Sequence, residues 1–357
     1  MDQTTMPSRR PSSLQLWAAM ATIYVLWGST YLGIAVAIES MPPFLMAAIR
    51  FVIAGLILLG WEVFRGQFRR PTLREVRDSA IVGTLLLGVG NAFVGLGETF
   101  VASGVAAVLV AMIPLWFAVL GRIYFRERLP AIATLGVVVG LAGVALLAWP
   151  TGEAGSINLL GVAILLIGPF GWAHGSLFAA HKAVLPRRPF MASGLQMLLA
   201  SIVLFGEALV MGEFSTFDPA AVTSRSLVAL LYLIVFGSLI AYNAYAWLLR
   251  NAPLSLVGTY AYVNPVVALG LGAVVLAEPI TPRTLIASAV IVVAVAMIVT
   301  ARGRAARAEA RTAEIGPGIT SDGSGQPPIA FSATRPGRLR GIRGVRGATS
   351  PRPGSSG

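Results

Sequence analysis

Ten apolar runs, each close to the length of one bilayer crossing, leave this chain few folds to adopt. They lie at roughly 14–38, 42–61, 79–98, 100–122, 130–149, 157–180, 190–211, 226–249, 256–277 and 282–301. A spanning helix needs about 20 mostly apolar residues. Lipid offers the backbone no hydrogen-bond partner, so a long apolar run must satisfy its own amides as a helix. The runs end in turn chemistry or charge: Met41-Pro42-Pro43, the arginine-rich 65–78, Pro150-Thr151-Gly152, Pro186-Arg187-Arg188-Pro189, Asp218-Pro219 and Glu278-Pro279. Between the third and fourth runs the break is only Glu98–Ser103, but the combined stretch is too long for one span. The first run exceeds the apolar core of a cleavable signal peptide and is expected to stay as a span. Charged residues make up 12% of the chain, against about 25% in a soluble domain. Too few charges exist to cover a soluble core, so lipid must be the covering solvent.

Basic residues in the short loops set orientation. Fourteen lie on one side: Arg9 and Arg10, Arg65 to Arg77, Arg122 to Arg128, Lys182 to Arg188, and Arg250. Arg225 and Arg283 alone lie on the other. The alternation holds through every loop and predicts a multi-pass protein of the cell (inner or plasma) membrane with both termini cytoplasmic. The formal net charge of +12 is no nucleic-acid signature, because residues 302–357 supply +7 of it and the rest sits between apolar runs. That tail, rich in Gly, Pro, Ser and Arg, reads as disordered and cytoplasmic. Cysteine is absent and only His174 and His181 are present, so neither a metal centre nor a thiol nucleophile is expected.

The two halves echo each other. Trp27 followed by Pro43-Phe44-Leu45-Met46-Ala47 parallels Trp172 followed by Pro189-Phe190-Met191-Ala192. Asn91-Ala92-Phe93 parallels Asn243-Ala244-Tyr245, Ser103 with Pro114 parallels Ser255 with Pro265, and Glu127 parallels Glu278. Five spans per half is an odd number, so the second half enters from the opposite side. The reading is an all-α integral membrane protein of ten transmembrane helices in two inverted five-helix repeats, 14–149 and 157–301, flanked by a cytoplasmic N-terminus, 1–13, and the tail. Inverted repeats recur in secondary transporters, with the substrate site between the halves near the midplane.

The residues WGSTY at 27–31, PPFLMAAIRF at 42–51, GN at 90–91, SGVAAVLVAMIP at 103–114, FGSLIAYNAY at 236–245 and TYAYVNPVVA at 259–268 carry a resemblance. The chain resembles the EamA-type permeases of the drug/metabolite transporter superfamily, particularly the drug/metabolite exporter branch, over roughly 14–301. The resemblance implies ten helices in two repeats, a central cavity and alternating access. Small multidrug-resistance relatives couple protons through a glutamate in their first helix. This chain has no acid in the first span before Glu39, so that role has no matching residue.

Polar side chains inside lipid need a reason. A charge at mid-span costs about 2.5–3.5 kcal/mol on insertion scales. Arg50, about 12 Å into the second span, is read either as an anion or carboxylate contact or as a structural clamp on backbone carbonyls or a neighbouring acid such as Glu98. Glu98 is read either as a proton sensor or as a solvated loop acid, and Glu127 and Glu278 as capping acids at helix ends. Asn91 and Asn243 suit helix–helix bonding or substrate contact equally. Pro114 and Pro265 each remove a helix bond and mark candidate breaks. Trp27, Tyr31, Trp116, Trp172, Tyr260 and Asn264 are candidate cavity walls, with ordinary packing as the alternative. His174 is a possible protonation site or a packing histidine. Gly136 and Gly140 form a face for close helix packing.

Three function classes compete. A membrane hydrolase would have to assemble a dispersed site, such as His174 with Ser176, because GxSxG and HExxH motifs are missing. A channel or receptor calls for charged rings or a ligand domain, and neither is seen. No GxxxxGK[ST] loop is present for ATP. Secondary transport of a small-molecule substrate, exporting metabolites, amino acids or drugs, by a monomer or homodimer in the bilayer and without a cofactor, is the reading that fits the repeat.

Overall fold

The computed structural model describes residues 12–126, 130–148 and 158–315, and every regular element among them is helical. By its internal contacts the chain divides after Arg311. The body up to Arg311 holds the helices described below. Of the second unit, only the end of the last helix is described.

The helices are α1 (Ser13–Ala37), α2 (Pro43–Phe64), α3 (Leu73–Glu98), α4 (Ser103–Phe125), α5 (Ala131–Ala148), α6 (Leu159–His181), α7 (Pro189–Val210), α8 (Ser224–Asn251), α9 (Tyr260–Leu276) and α10 (Pro282–Ile315). Eight of these are long and apolar enough to cross a membrane; the apolar stretches in α5 (Ala131–Leu147) and α9 (Val263–Leu276) are shorter. The last helix continues to Ile315, into the stretch read as disordered tail. Ala305-Ala306-Arg307-Ala308-Glu309-Ala310 explains why, since alanine, arginine and glutamate are strong helix formers.

Helix starts follow capping chemistry. Ser12 and Gln15 close a capping box on α1, and Thr72 and Glu75 do the same for α3. Asn158 accepts from the amides of Leu160 and Gly161 to start α6. Proline opens α2 and α7, where its missing N–H costs nothing. The orphan amides of Phe44 and Leu45 donate to Glu213, at 3.2 and 2.7 Å. Burial raises the Glu213 carboxyl above the ordinary range, and these two amides offset part of that shift.

Close approach of small residues holds the bundle together, as expected where lipid gives no hydrophobic drive between helices. α2 and α7 meet reciprocally: Gly55 lies against Leu198, and Gly194 against Leu59. Gly28 of α1 lies on Val267 of α9. Gly136 and Gly140 of α5 face Ala294 of α10, the close packing read for that pair.

The backbone repeats as well as the sequence. α3 contains a π-helical segment, Thr84–Asn91, and α8 contains another, Leu233–Tyr242. α4 breaks at Ala111–Met112, and the chain breaks between the turn Leu254–Val257 and α9. Arg126 and Ala277 end the corresponding helices in the left-handed region, at φ 54° and 53°, the two non-glycine residues with positive φ among those described. An L-residue there is strained by about 1 kcal/mol or more. Ala277→Gly is therefore expected to stabilise the protein by about 0.5–1 kcal/mol, seen as a higher melting temperature in detergent. A lower one would show that the Ala277 methyl packs better than its strain costs.

Candidate functional site

A cavity of about 510 Å³, counting its open mouth, lies in the middle of the bundle. α1 contributes Trp27, Thr30, Tyr31 and Ile34; α2 contributes Arg50; α3 contributes Gly90, Asn91 and Val94. Val110 and Ile113 flank the break in α4. Pro169 and Trp172 of α6 and Tyr260 and Asn264 of α9 complete the wall. Both halves of the sequence repeat thus line one space.

One wall is aromatic. The Trp27 ring lies edge-on to Trp172 at 5.2 Å and to Tyr260 at 5.4 Å, and tilted against Tyr245 at 4.9 Å. The repeat mates Trp27 and Trp172 therefore touch each other. Trp172 Nε1 donates to the Tyr245 hydroxyl at 3.0 Å, and that hydroxyl lies 2.7 Å from Ser176 Oγ. These bonds fix the indole plane against the cavity. Edge-to-face pairs of this kind add about 0.5–1.5 kcal/mol each beyond buried area. Asn264, oriented with its nitrogen toward them, donates to the carbonyls of Tyr260 and Tyr24 at 3.2 Å each. Its side chain thus ties α1 to α9.

Arg50 brings the charge to the lining. Arg50 is 3% exposed. Its Nε donates to Ser238 Oγ at 2.8 Å, and Nη1 donates to Asn91 Oδ1 at 3.3 Å. Asn91 closes the π segment of α3, and Ser238 lies inside that of α8. Gly237 makes room for the guanidinium, since a Cβ there would sit 2.6 Å from Nη2. No carboxylate pairs with Arg50 among the described residues. Gln196 takes the register of Arg50 in the second half, counted from Pro43 and Pro189, and accepts from the Tyr242 hydroxyl at 2.6 Å. Each half therefore reaches from the same register to the π segment of α8, one side with a cation and the other with an amide.

The structure separates the remaining candidates. Trp116, His174 and Asn243 do not line the cavity. Trp116 packs against Phe170 at 5.1 Å. His174 lies 3.3 Å from the Tyr124 hydroxyl, with Phe170 also beside it. Asn243 donates back to Leu239 of its own helix at 2.9 Å and so departs from the role of its mate Asn91. Pro114 sits just after the break in α4, whereas α9 continues through Pro265 and the break precedes Tyr260. Glu98 is no solvated loop acid: both carboxylate oxygens are buried without a hydrogen-bond partner. Glu278 caps the start of α4, while Glu127 lies outside the described residues. Sequence reasoning passed over Tyr245 and Ser238. Tyr245 stood in the repeated Asn-Ala-aromatic signature; nothing marked Ser238 as a partner of Arg50.

The EamA-like transporter family matches residues 15–149 and 159–300, two copies in one chain. The chain belongs to this family. It is 39% identical over 286 residues to the inner membrane transporter YedA of Escherichia coli K12, covering 80% of this chain and 90% of the relative. A transporter of Archaeoglobus fulgidus is 24% identical over 295 residues, covering 81% of this chain and all of the relative. A WAT1-related chloroplastic protein of Arabidopsis thaliana is 23% identical and spans 79% of this chain and 69% of its own length. One solved crystal structure matches at a TM-score of 0.58 with 20% identity, over 80% of this chain and 96% of that one, a likeness of fold. This EamA-family protein is a membrane transporter.

Proposed function

We propose that the protein is a secondary active transporter of the cell membrane that exports small metabolites, amino acids or drugs by alternating access. The observation that carries this is the shared cavity: Trp27, Arg50 and Asn91 of the first copy face Trp172, Tyr260 and Asn264 of the second. A site built at a seam between two packed halves is exposed to one side or the other as the halves rock. Counting α5 and α9 as spans gives ten crossings, five per copy. The odd number inverts the second copy, and the loop arginines put both termini in the cytoplasm. The aromatic wall accepts an apolar body. The guanidinium, with no carboxylate beside it among the described residues, suits an anionic group on the substrate. Nothing in this arrangement calls for a catalytic group or a cofactor.

A resistance screen of metabolites and drugs, with the protein overexpressed against a strain lacking it, tests the reading. The compounds it returns are then followed in proteoliposomes. Flux is expected to saturate with concentration and to fall about tenfold or more in Trp27→Ala, which removes the ring joining the two copies. Unsaturable flux would replace the carrier with a channel.

A further inference from the structure

We propose that Glu98 is a proton-binding site, and that loss of its proton releases a latch between the two copies at the junction of α3 and α4. The proposal rests on the alternating-access reading. α3 ends on Glu98, whose two carboxylate oxygens are buried and meet no hydrogen-bond partner. Five residues on, the amides of Ser103 and Gly104 donate to Glu278, at 2.8 Å to Oε1 and 3.2 Å to Oε2. Glu278 belongs to the second copy, so its carboxylate ties the first turn of α4 to the other half. The tie is built closely. The chain reverses at Ala277 in the left-handed region, the Glu278 amide donates to the Gly272 carbonyl at 3.1 Å, and a Cβ at Gly272 would lie 2.2 Å from Glu278 Oε2.

Among the described residues, the groups facing Glu98 include no partner cation. Glu278 acts on it electrostatically from the turn before α10, and Tyr31 feels its charge from α1. On α2, Arg50 is engaged with Ser238 and Asn91. Arg283 of α10 donates to the carbonyls of Leu146 and Leu147. α6 meets this end through Gly161 and Leu165, with His174 and His181 further along. The first turns of α4 carry no titratable side chain. A bare carboxylate buried without a partner is far costlier than the neutral acid. A metal cation calls for several converging oxygens, and no cluster of three or more acidic or histidine side chains able to hold one occurs among the described residues. A proton needs one oxygen only.

The consequence for the latch follows from charge. With Glu98 neutral, Glu278 keeps its two amides. When the Glu98 O–H bond breaks and the proton passes to water, two carboxylates share a low-dielectric pocket. Their repulsion favours parting α4 from Glu278. Glu98 thereby couples a proton to the opening of one end of the cavity.

The chain has no cysteine, so Thr99→Cys and Ile280→Cys, both exposed on either side of the latch, give a unique spin-label pair. Distances are read by double electron–electron resonance in liposomes, in sodium-free buffer. The short distance is expected to dominate in mild acid, and the long component to rise roughly threefold or more in mild alkali. Glu98→Gln should hold the short distance in both, while Glu98→Asp, which still titrates, should keep the response. A distance that never changes in any of these proteins would overturn both this proposal and alternating access. A change that Glu98→Gln shares would overturn the proton site alone. Recovery of the short distance on adding sodium in alkali would assign the site to a metal cation and overturn the proton.

Discussion

Arg50→Ala is expected to leave a protein that inserts but no longer transports. Two effects oppose each other. Removing the guanidinium eases insertion of α2 by about 2.5–3.5 kcal/mol. Packing of the inserted helices loses more than one contribution. Ser238 and Asn91 forfeit a charged donor, worth about 1.5–3 kcal/mol per bond, and a long buried side chain leaves a void. Yield in the membrane should therefore hold, the melting temperature in detergent should fall, and flux of the compounds found by the screen should drop by about two orders of magnitude, because the cavity wall and both π segments lose their common anchor. Arg50→Lys should rescue little, since one ammonium cannot reproduce the fixed fork that reaches two acceptors. Wild-type melting and flux in Arg50→Ala would show that the bonds to Ser238 and Asn91 do not hold the site together.

Gly83→Ala should be the most damaging single methyl in the fold. A Cβ at Gly83 would sit 2.3 Å from the Gln196 carbonyl oxygen and 3.0 Å from its carbon. Both atoms belong to the backbone of α7, so no rotamer change relieves the clash. α3 and α7 must separate. Overpacking of this kind costs about 1–3 kcal/mol and sometimes more. The shift also moves Gln196, which holds the Tyr242 hydroxyl at the end of the second π segment. Gly97→Ala is the milder neighbour, because its Cβ would meet the Leu165 side chain, which can turn away. Gly60→Ala is the control: nothing lies within 4 Å, and alanine in a helix interior gains about 0.5–1 kcal/mol over glycine. The order of melting temperatures should be Gly60→Ala above wild type, then Gly97→Ala, then Gly83→Ala. A Gly83→Ala protein as stable as wild type would mean that α3 and α7 part at little cost.

Much of this was legible in the sequence, and the failures have physical causes. Helix positions follow from apolar length and turn chemistry, and both are local. The break at Glu98–Ser103 needed only a length argument. Trp27, Tyr31, Asn91, Trp172, Tyr260, Asn264 and Arg50 all reach the cavity, because an aromatic or polar side chain within an apolar run has few other places to go. The π segments were invisible. Thr84–Asn91 and Leu233–Tyr242 read as ordinary apolar helix, and Arg50, which bonds a side chain in each, comes from another helix. Asn91 and Asn243 looked equivalent, but the sequence does not record that Arg50 faces only the first. The burial of Glu98 stayed open for a related reason. A residue at a helix end looks solvated until the helices packed against that end, such as α6 at Gly161 and Leu165, are known.

Arg50 and Gln196 show what joining two copies in one chain permits. Two identical copies meeting across a pseudo-twofold axis must place every side chain at the seam twice. Two guanidinium groups converging on the same π segment would repel one another in a medium that screens poorly. A single polypeptide escapes that constraint. It keeps one cation, Arg50, in the cavity lining and fills the matching position with a neutral amide, Gln196, which bonds Tyr242 away from that lining. The two copies of the repeat thus coexist with an uneven cavity lining, in which Arg50 is the one charged side chain among the described residues.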